Sequence, residues 1–178
     1  LTITADDKNT VYGESNPALT WQITEGTMVG SDALQNISIS REEGKDADSY
    51  TITVSQTDGS NPNYDITFKN GTFTIKQKEI GINWGATEFM PYTGELIVPQ
   101  ATATGLEAGD ECLLTTSVVE TSEGAGIIPA RWHAKVTALS NGNYCLPESG
   151  NLVEIEYGIV KGYVDAPVVS GIDETIKG

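Results

Sequence analysis

Histidine, cysteine, basic side chains and long apolar runs are all scarce here, and each scarcity removes a class of function. One histidine and two cysteines, at positions 133, 112 and 145, include no close ligand pair of the kind from which zinc sites are built. His133 also lacks a Gly-x-Ser-x-Gly elbow or any other nucleophile motif, so the partner a general base requires is missing. It reads as a surface or half-buried strand residue beside Trp132. No Gly-rich loop opens into a helix, which removes the usual phosphate cradle and leaves no cofactor to expect. No stretch reaches the ~18 apolar residues of a membrane span, so no membrane insertion is expected of this segment. Ten basic residues stand against 25 acidic ones, a formal charge of −15. Such a field repels phosphate backbones and argues against nucleic acid as a partner.

What the chain does contain is a repetition. Tyr12-Gly13 is echoed by Tyr92-Thr93-Gly94, and Asn61-Pro62-Asn63-Tyr64 by Asn141-Gly142-Asn143-Tyr144, each 80 positions on. Val29-Gly30-Ser31-Asp32 matches Ala108-Gly109-Asp110 at an offset of 78, and Ser49 to Val54 matches Arg131 to Val136 at an offset of 82. Landmarks in one order with small slips mean two copies of one unit. The units expected are residues 1–77 and 78–161, with 162–178 a linker or the start of a further module. Charge follows the same division: −6 for 1–77 (eleven acids, five bases), −7 for 78–161 (eleven, four) and −2 for 162–178 (three, one). Acidity spread so evenly is explained most simply as a means of keeping the chain in solution. Leu1 is no start Met, and the chain reads like a piece of a longer protein. Leu146-Pro147-Glu148-Ser149-Gly150 resembles a sortase signal, but Asn151 to Glu156 then reads as a strand and not as its hydrophobic tail.

Period-two alternation dominates, as in Leu1 to Ala5, Leu19 to Ile23 and Tyr50 to Val54, and predicts strands. Asn70-Gly71 predicts a type I′ hairpin over Asp65–Ile75 that pairs Phe68 with Phe73 and Ile66 with Ile75 on one apolar face. In the second copy Val153, Ile155 and Tyr157 share a face opposite Glu154 and Glu156. Helix signals are limited to short stretches at Val29 to Leu34 and near Gly109-Asp110. The fold expected is mainly β: two tandem small domains, each an immunoglobulin-like sandwich. The alternative is a β-grasp-like α+β unit with one short helix in each copy. Gln77-Lys78-Glu79 joins the copies with no Pro/Gly/Ser run, so little interdomain motion is expected.

At this point the motifs carry a resemblance. Thr4-Ala5-Asp6-Asp7-Lys8, Val11-Tyr12-Gly13, Asn16-Pro17-Ala18-Leu19, the Gly30-Ser31-Asp32 turn, Ser49-Tyr50-Thr51-Ile52 and Asn61-Pro62-Asn63-Tyr64 occur in order. Residues 1–77 thereby resemble the MBG domain of the YGX type, a repeat of bacterial extracellular and adhesin-like proteins. Residues 80–160 are similar to a related surface repeat, through Tyr92-Thr93-Gly94, Ala101 to Leu106, Gly109-Asp110 and Leu139 to Tyr144. The second copy departs from the first at Trp132-His133 and in a longer loop, Ser122 to Pro129. The resemblance implies placement outside the cell, attached to the surface or secreted, and a stalk or adhesion role. It implies no catalytic residue and no ligand.

Three further readings stay open at this level. Cys112 and Cys145 allow an intradomain disulfide worth roughly 3 kcal/mol, or two buried thiols acting as small apolar residues. Asp6-Asp7 and Asp46-Ala47-Asp48 bring carboxylates together, but no twelve-residue calcium loop exists, and solvated turn residues explain them better. Lys8 or Lys69 would be the donor of an isopeptide crosslink, for which nothing else in the chain speaks. Function then divides two ways. One reading is a non-enzymatic, monomeric spacer or adhesin stalk. The other is a module that binds a glycan or a host or cell-surface protein through Trp132, Trp84 or Tyr92, or an accessory domain of a large secreted enzyme. In units this small, Trp21, Trp84 and Trp132 read more readily as core anchors.

Overall fold

The computed structural model describes residues 1–85, 90, 91, 94, 95, 97–119, 130–148 and 153–160. The architecture is mainly β, in several sheets with almost no helix. Residues 1–76 carry seven strands: β1 (Thr2–Ala5), β2 (Lys8–Val11), β3 (Trp21–Glu25), β4 (Ile37–Arg41), β5 (Ser49–Gln56), β6 (Thr67–Lys69) and β7 (Gly71–Lys76). They form a three-stranded sheet, β3-β1-β6, and a four-stranded sheet, β2-β7-β5-β4. Alternation decides what faces inward. On β5, Ile52 and Val54 are buried while Thr51, Thr53 and Ser55 are exposed; on β7, Phe73 and Ile75 point in while Thr72 points out. Ile3 and Ala5 of the first sheet meet Ile52, Val54, Phe73 and Ile75 of the second in one core, flanked by Trp21, Ile66 and Phe68. That is a β-sandwich.

The predicted Asp65–Ile75 hairpin is corrected here. β6 and β7 do not pair with each other. β6 runs parallel to β1, with Phe68 beside Ile3, and β7 runs parallel to β2, with Phe73 beside Lys8. The chain crosses from one sheet to the facing one at Asn70, alongside β1 and β2, which cross at Asp6-Asp7. An inward-facing strand that changes to the opposite sheet must reverse its parity to keep facing inward. Phe68 and Phe73 therefore do share a core, but from opposite walls. Gly71 is needed for proximity, because a Cβ there would lie 2.6 Å from the carbonyl oxygen of Ala5 on the neighbouring crossing. Asp7 fastens the crossings by accepting the Thr72 amide at 2.7 Å, and Asp6 accepts from Thr20 and Gln22.

The remaining strands are β8 (Lys78–Glu79), β9 (Gly81–Asn83), β10 (Met90–Pro91), β11 (Thr102–Thr104), β12 (Leu114–Val119), β13 (Ala130–Leu139), β14 (Tyr144–Cys145) and β15 (Glu154–Val160). Their four-stranded sheet runs β10-β15-β13-β12, with a parallel β10–β15 pair and antiparallel β13–β15 and β12–β13 pairs. This repeats the order and sense of β2-β7-β5-β4. The other wall is split into an antiparallel pair, β9–β11, and a parallel pair, β8–β14, matching β1–β3 and β1–β6. Val136, Val153, Ala134, Tyr157 and Ile159 fill the interior, and Glu154 and Glu156 face out as the alternation predicts.

The short helices of the β-grasp alternative do not form. Both stretches are single turns: the Asp32 amide donates to the Val29 carbonyl, and the Asp110 amide to the Glu107 carbonyl, each at 3.1 Å. Each Gly-Ser-Asp or Gly-Asp segment closes one turn and then runs on as extended chain.

Candidate functional site

A network of polar contacts among the described residues lies where the two halves meet. Tyr12 extends the β2–β7 ladder by one residue, its amide donating to the Lys76 carbonyl at 2.9 Å. Gly13, at φ +85°, then turns the chain, and Glu14 closes the turn on Val11. This geometry projects the Tyr12 ring out of the first core onto the second. It packs against Ile3, Phe73 and their neighbours on one side and against Ile80, Cys112 and Tyr144 on the other.

The receiving surface is made of two turns. Glu107–Asp110 is one, and Asn141–Tyr144, closed by the Tyr144 amide on the Asn141 carbonyl at 3.2 Å, is the other. The Tyr144 hydroxyl donates to Asp110 Oδ2 at 2.6 Å and accepts the Glu107 amide at 2.9 Å. The Tyr12 hydroxyl donates to the same Oδ2 at 2.9 Å. The two rings meet edge to face, 5.5 Å between centroids and 78° between planes. Two phenols on one carboxylate shift all three groups. The hydroxyls of Tyr144 and Tyr12 hold the Asp110 carboxyl below its ordinary range. The bond to Asp110, then desolvation, raises Tyr12, while burial, then Asp110, pushes Tyr144 up to about 12.

Asn143 makes the second contact. Its Oδ1 accepts the Ala47 amide at 2.7 Å and its Nδ2 donates to Asp46 at 3.0 Å. Its carbonyl accepts the Lys78 amide at 2.9 Å, and Gln77 donates to the Gly142 carbonyl at 2.8 Å. Lys78 pairs with Glu107. A Cβ on Gly13 would lie 2.3 Å from the Glu107 carboxyl carbon, so a side chain there would push that carboxylate aside, and the positive φ itself favours glycine. Beside the joint is a cleft of about 460 Å³ bounded by Thr10, Glu14, Arg41, Lys45 and Asp110. Arg41 lies over the Tyr50 and Phe73 rings, at 5.1 and 4.7 Å, and donates to the Glu42 and Gly44 carbonyls. That guanidinium holds the fold. The site's chemistry is adhesion of one half to the other.

Of the residues singled out from sequence, Cys112 and Asp46 fall at the joint and most of the others lie elsewhere. Cys112 is buried with Ile80 and Tyr144, and Cys145 is half-buried on β14; both are free thiols, so the disulfide the sequence allows is not formed. Burial, then the charges of Glu79 and Glu148, raises the Cys145 thiol. Trp84 and Trp132 are half-buried and pack on the same cluster of Ala134, Tyr157 and Ile159. Tyr92 lies outside the described residues, as do Ser122–Pro129 and residues 162–178. His133 faces out from β13 with Nε2 3.7 Å from Glu156. Asp46 accepts from Asn143 across the joint, and Asp48 accepts the neighbouring Ser49 amide. Among the described residues, no three His, Cys, Asp or Glu side chains group to hold a metal ion, and no helix is long and apolar enough to cross a membrane. Sequence reasoning missed the roles of Tyr12, Asp110 and Asn143, although all three stood in it as repeat landmarks.

Residues 1–74 match the MBG domain (YGX type) family, a match that suggests a bacterial extracellular repeat module in this part of the chain. The match covers the first 74 of 178 residues. No curated protein matches the chain.

Proposed function

We propose that the chain is a non-enzymatic spacer in a bacterial cell-surface or secreted protein. Two tandem copies of one β unit, 1–77 and 78–161, are locked end to end as part of an adhesin stalk. The observation that carries this reading is the joint. Tyr12 packs on both cores, and its hydroxyl, the Asn143 amide and the Gln77 amide each bond across to the partner half. Several directional bonds resist bending and twisting, which a tether made to swivel would not need. Recognition of a glycan or a host protein by Trp84 and Trp132 is the weaker reading, since both rings are spent on one internal cluster. Small-angle scattering tests the proposal. The expected largest dimension is near twice that of one unit, with a radius of gyration above the ~16 Å of a single compact body of this length. A compact profile would refute it.

A further inference from the structure

The receiving surface of the joint occurs a second time, at the far end of the first unit, and the match is bond for bond. The Asp32 amide closes on the Val29 carbonyl as that of Asp110 does on Glu107, both at 3.1 Å. The Tyr64 amide closes on Asn61 at 3.1 Å as that of Tyr144 does on Asn141 at 3.2 Å. Tyr64 donates its hydroxyl to Asp32 Oδ2 at 2.6 Å and accepts the Val29 amide at 3.0 Å. The corresponding Tyr144 bonds are 2.6 and 2.9 Å. Even the entry of the chain agrees: the Leu1 nitrogen reaches the Asp65 carbonyl at 2.7 Å, as Ile80 reaches that of Cys145 at 3.1 Å.

The two surfaces differ in what covers them. In the second unit Tyr144 is 1% exposed beneath Tyr12. In the first unit Tyr64 is half-buried, Asp32 and Asn63 are exposed, and a hollow of about 220 Å³ runs between Asp32 and Tyr64. Val29 stands where Glu107 stands in the other turn and is 71% exposed, one of the few large apolar side chains left in solvent. We propose that this end of the first unit is a docking socket, and that its occupant is the Tyr-Gly end of another unit of the same kind, joined directly ahead of it in one chain. The incoming phenol donates to Asp32 as Tyr12 donates to Asp110, its ring edge meets Tyr64, and the turn at its glycine covers Val29. Residues placed ahead of Leu1 run beside Tyr64-Asp65 as Lys78-Glu79 runs beside Tyr144-Cys145. The inference rests on the tandem reading above and extends it from one joint to a repeating one.

The test is a chain in which a copy of residues 1–79 precedes Leu1, so that Glu79 of the added copy is bonded to Leu1 as it now is to Ile80. Amide hydrogen exchange at Val29, Asp32 and Tyr64 of the original unit is compared with that of the natural chain. Docking slows exchange at these three positions by tenfold or more. A Tyr12→Phe change in the added copy alone keeps the ring and the fold of that copy, and returns at least half of the protection on a logarithmic scale. Unchanged exchange on fusion, or equal protection with Tyr12→Phe, overturns the proposal. Either result leaves the Tyr12–Asp110 joint and its scattering test standing, so failure of the socket is distinct from failure of the spacer reading.

Discussion

Replacing Gly13 by Ala tests the joint most directly, because the same change at Gly94 supplies its own control. Both glycines follow a tyrosine landmark and both sit at positive φ, +85° and +93°. A Cβ at such a φ costs about 1–2 kcal/mol, and loss of glycine's freedom in the unfolded chain returns about 0.4–1 kcal/mol. A net loss of roughly 0.5–1.5 kcal/mol is therefore common to both variants. The difference lies in what the new methyl meets: nothing within 4 Å at Gly94, but the Glu107 carboxyl carbon at 2.3 Å at Gly13. Ordinary contact begins near 3.4 Å, so Glu107 must withdraw by about 1 Å. It then leaves Lys78, a partly exposed pair worth at most about 1 kcal/mol. Gly13→Ala should thus exceed Gly94→Ala by up to about 1 kcal/mol in urea unfolding. It alone should also broaden the scattering profile. Equal losses with superimposable profiles would refute the claim that Gly13 is there for the joint.

The core makes a second comparison: Phe73→Ala should cost about 3–5 kcal/mol, and Phe68→Ala clearly less, since Phe73 is 0% exposed and Phe68 only half-buried. Equal losses by denaturant titration would contradict the placement of the two rings on unlike walls. The joint should also respond to pH at both extremes. Asp110 is held below its ordinary 3.8, so its contribution is present above that value and is lost as pH falls through the lower folded one. Tyr144, raised from 10.0 to about 12, contributes fully below 10.0 and loses that contribution as pH rises through 12. Scattering should therefore be constant between about pH 4 and 10, with the acid limb missing in Asp110→Asn; loosening near neutrality would count against the two-phenol account.

Much of this was legible in the sequence, and the exceptions share a cause. Alternation in Tyr50 to Val54 and in Val153 to Tyr157 marked inward and outward faces correctly, because side-chain parity is local. The landmark spacing suggested a repetition, and two four-stranded sheets do share one strand order and sense. Asn70-Gly71 misled because a parity reversal between Phe68 and Phe73 suits a tight hairpin and a crossing between sheets equally well. What decides is whether β1, some 65 residues away, offers β6 a partner, and no short-range pattern records that. The joint was hidden for the same reason. Tyr12, Asp110 and Asn143 were visible as landmarks, but a repeated tyrosine looks alike whether it stabilises its own unit, as Tyr144 does, or the next one, as Tyr12 does. Cys112 and the tryptophans drew notice as rare residues, and rarity here reflected burial.

Charge explains why the joint is built from phenols and amides. The halves carry −6 and −7 by formal count, eleven acids to five bases and eleven to four, so the mean field pushes them apart. More salt bridges would answer that only weakly, since exposed pairs are worth little and are screened by salt. Neutral donors aimed at carboxylates do better. The hydroxyls of Tyr12 and Tyr144 on Asp110, and the Asn143 amide on Asp46, turn acidic residues from a source of repulsion into acceptors. Each such bond also fixes an angle, which a point charge like that of Lys78 does not. At this joint one tyrosine, placed just before the turn at Gly13, carries such a bond between two acidic halves.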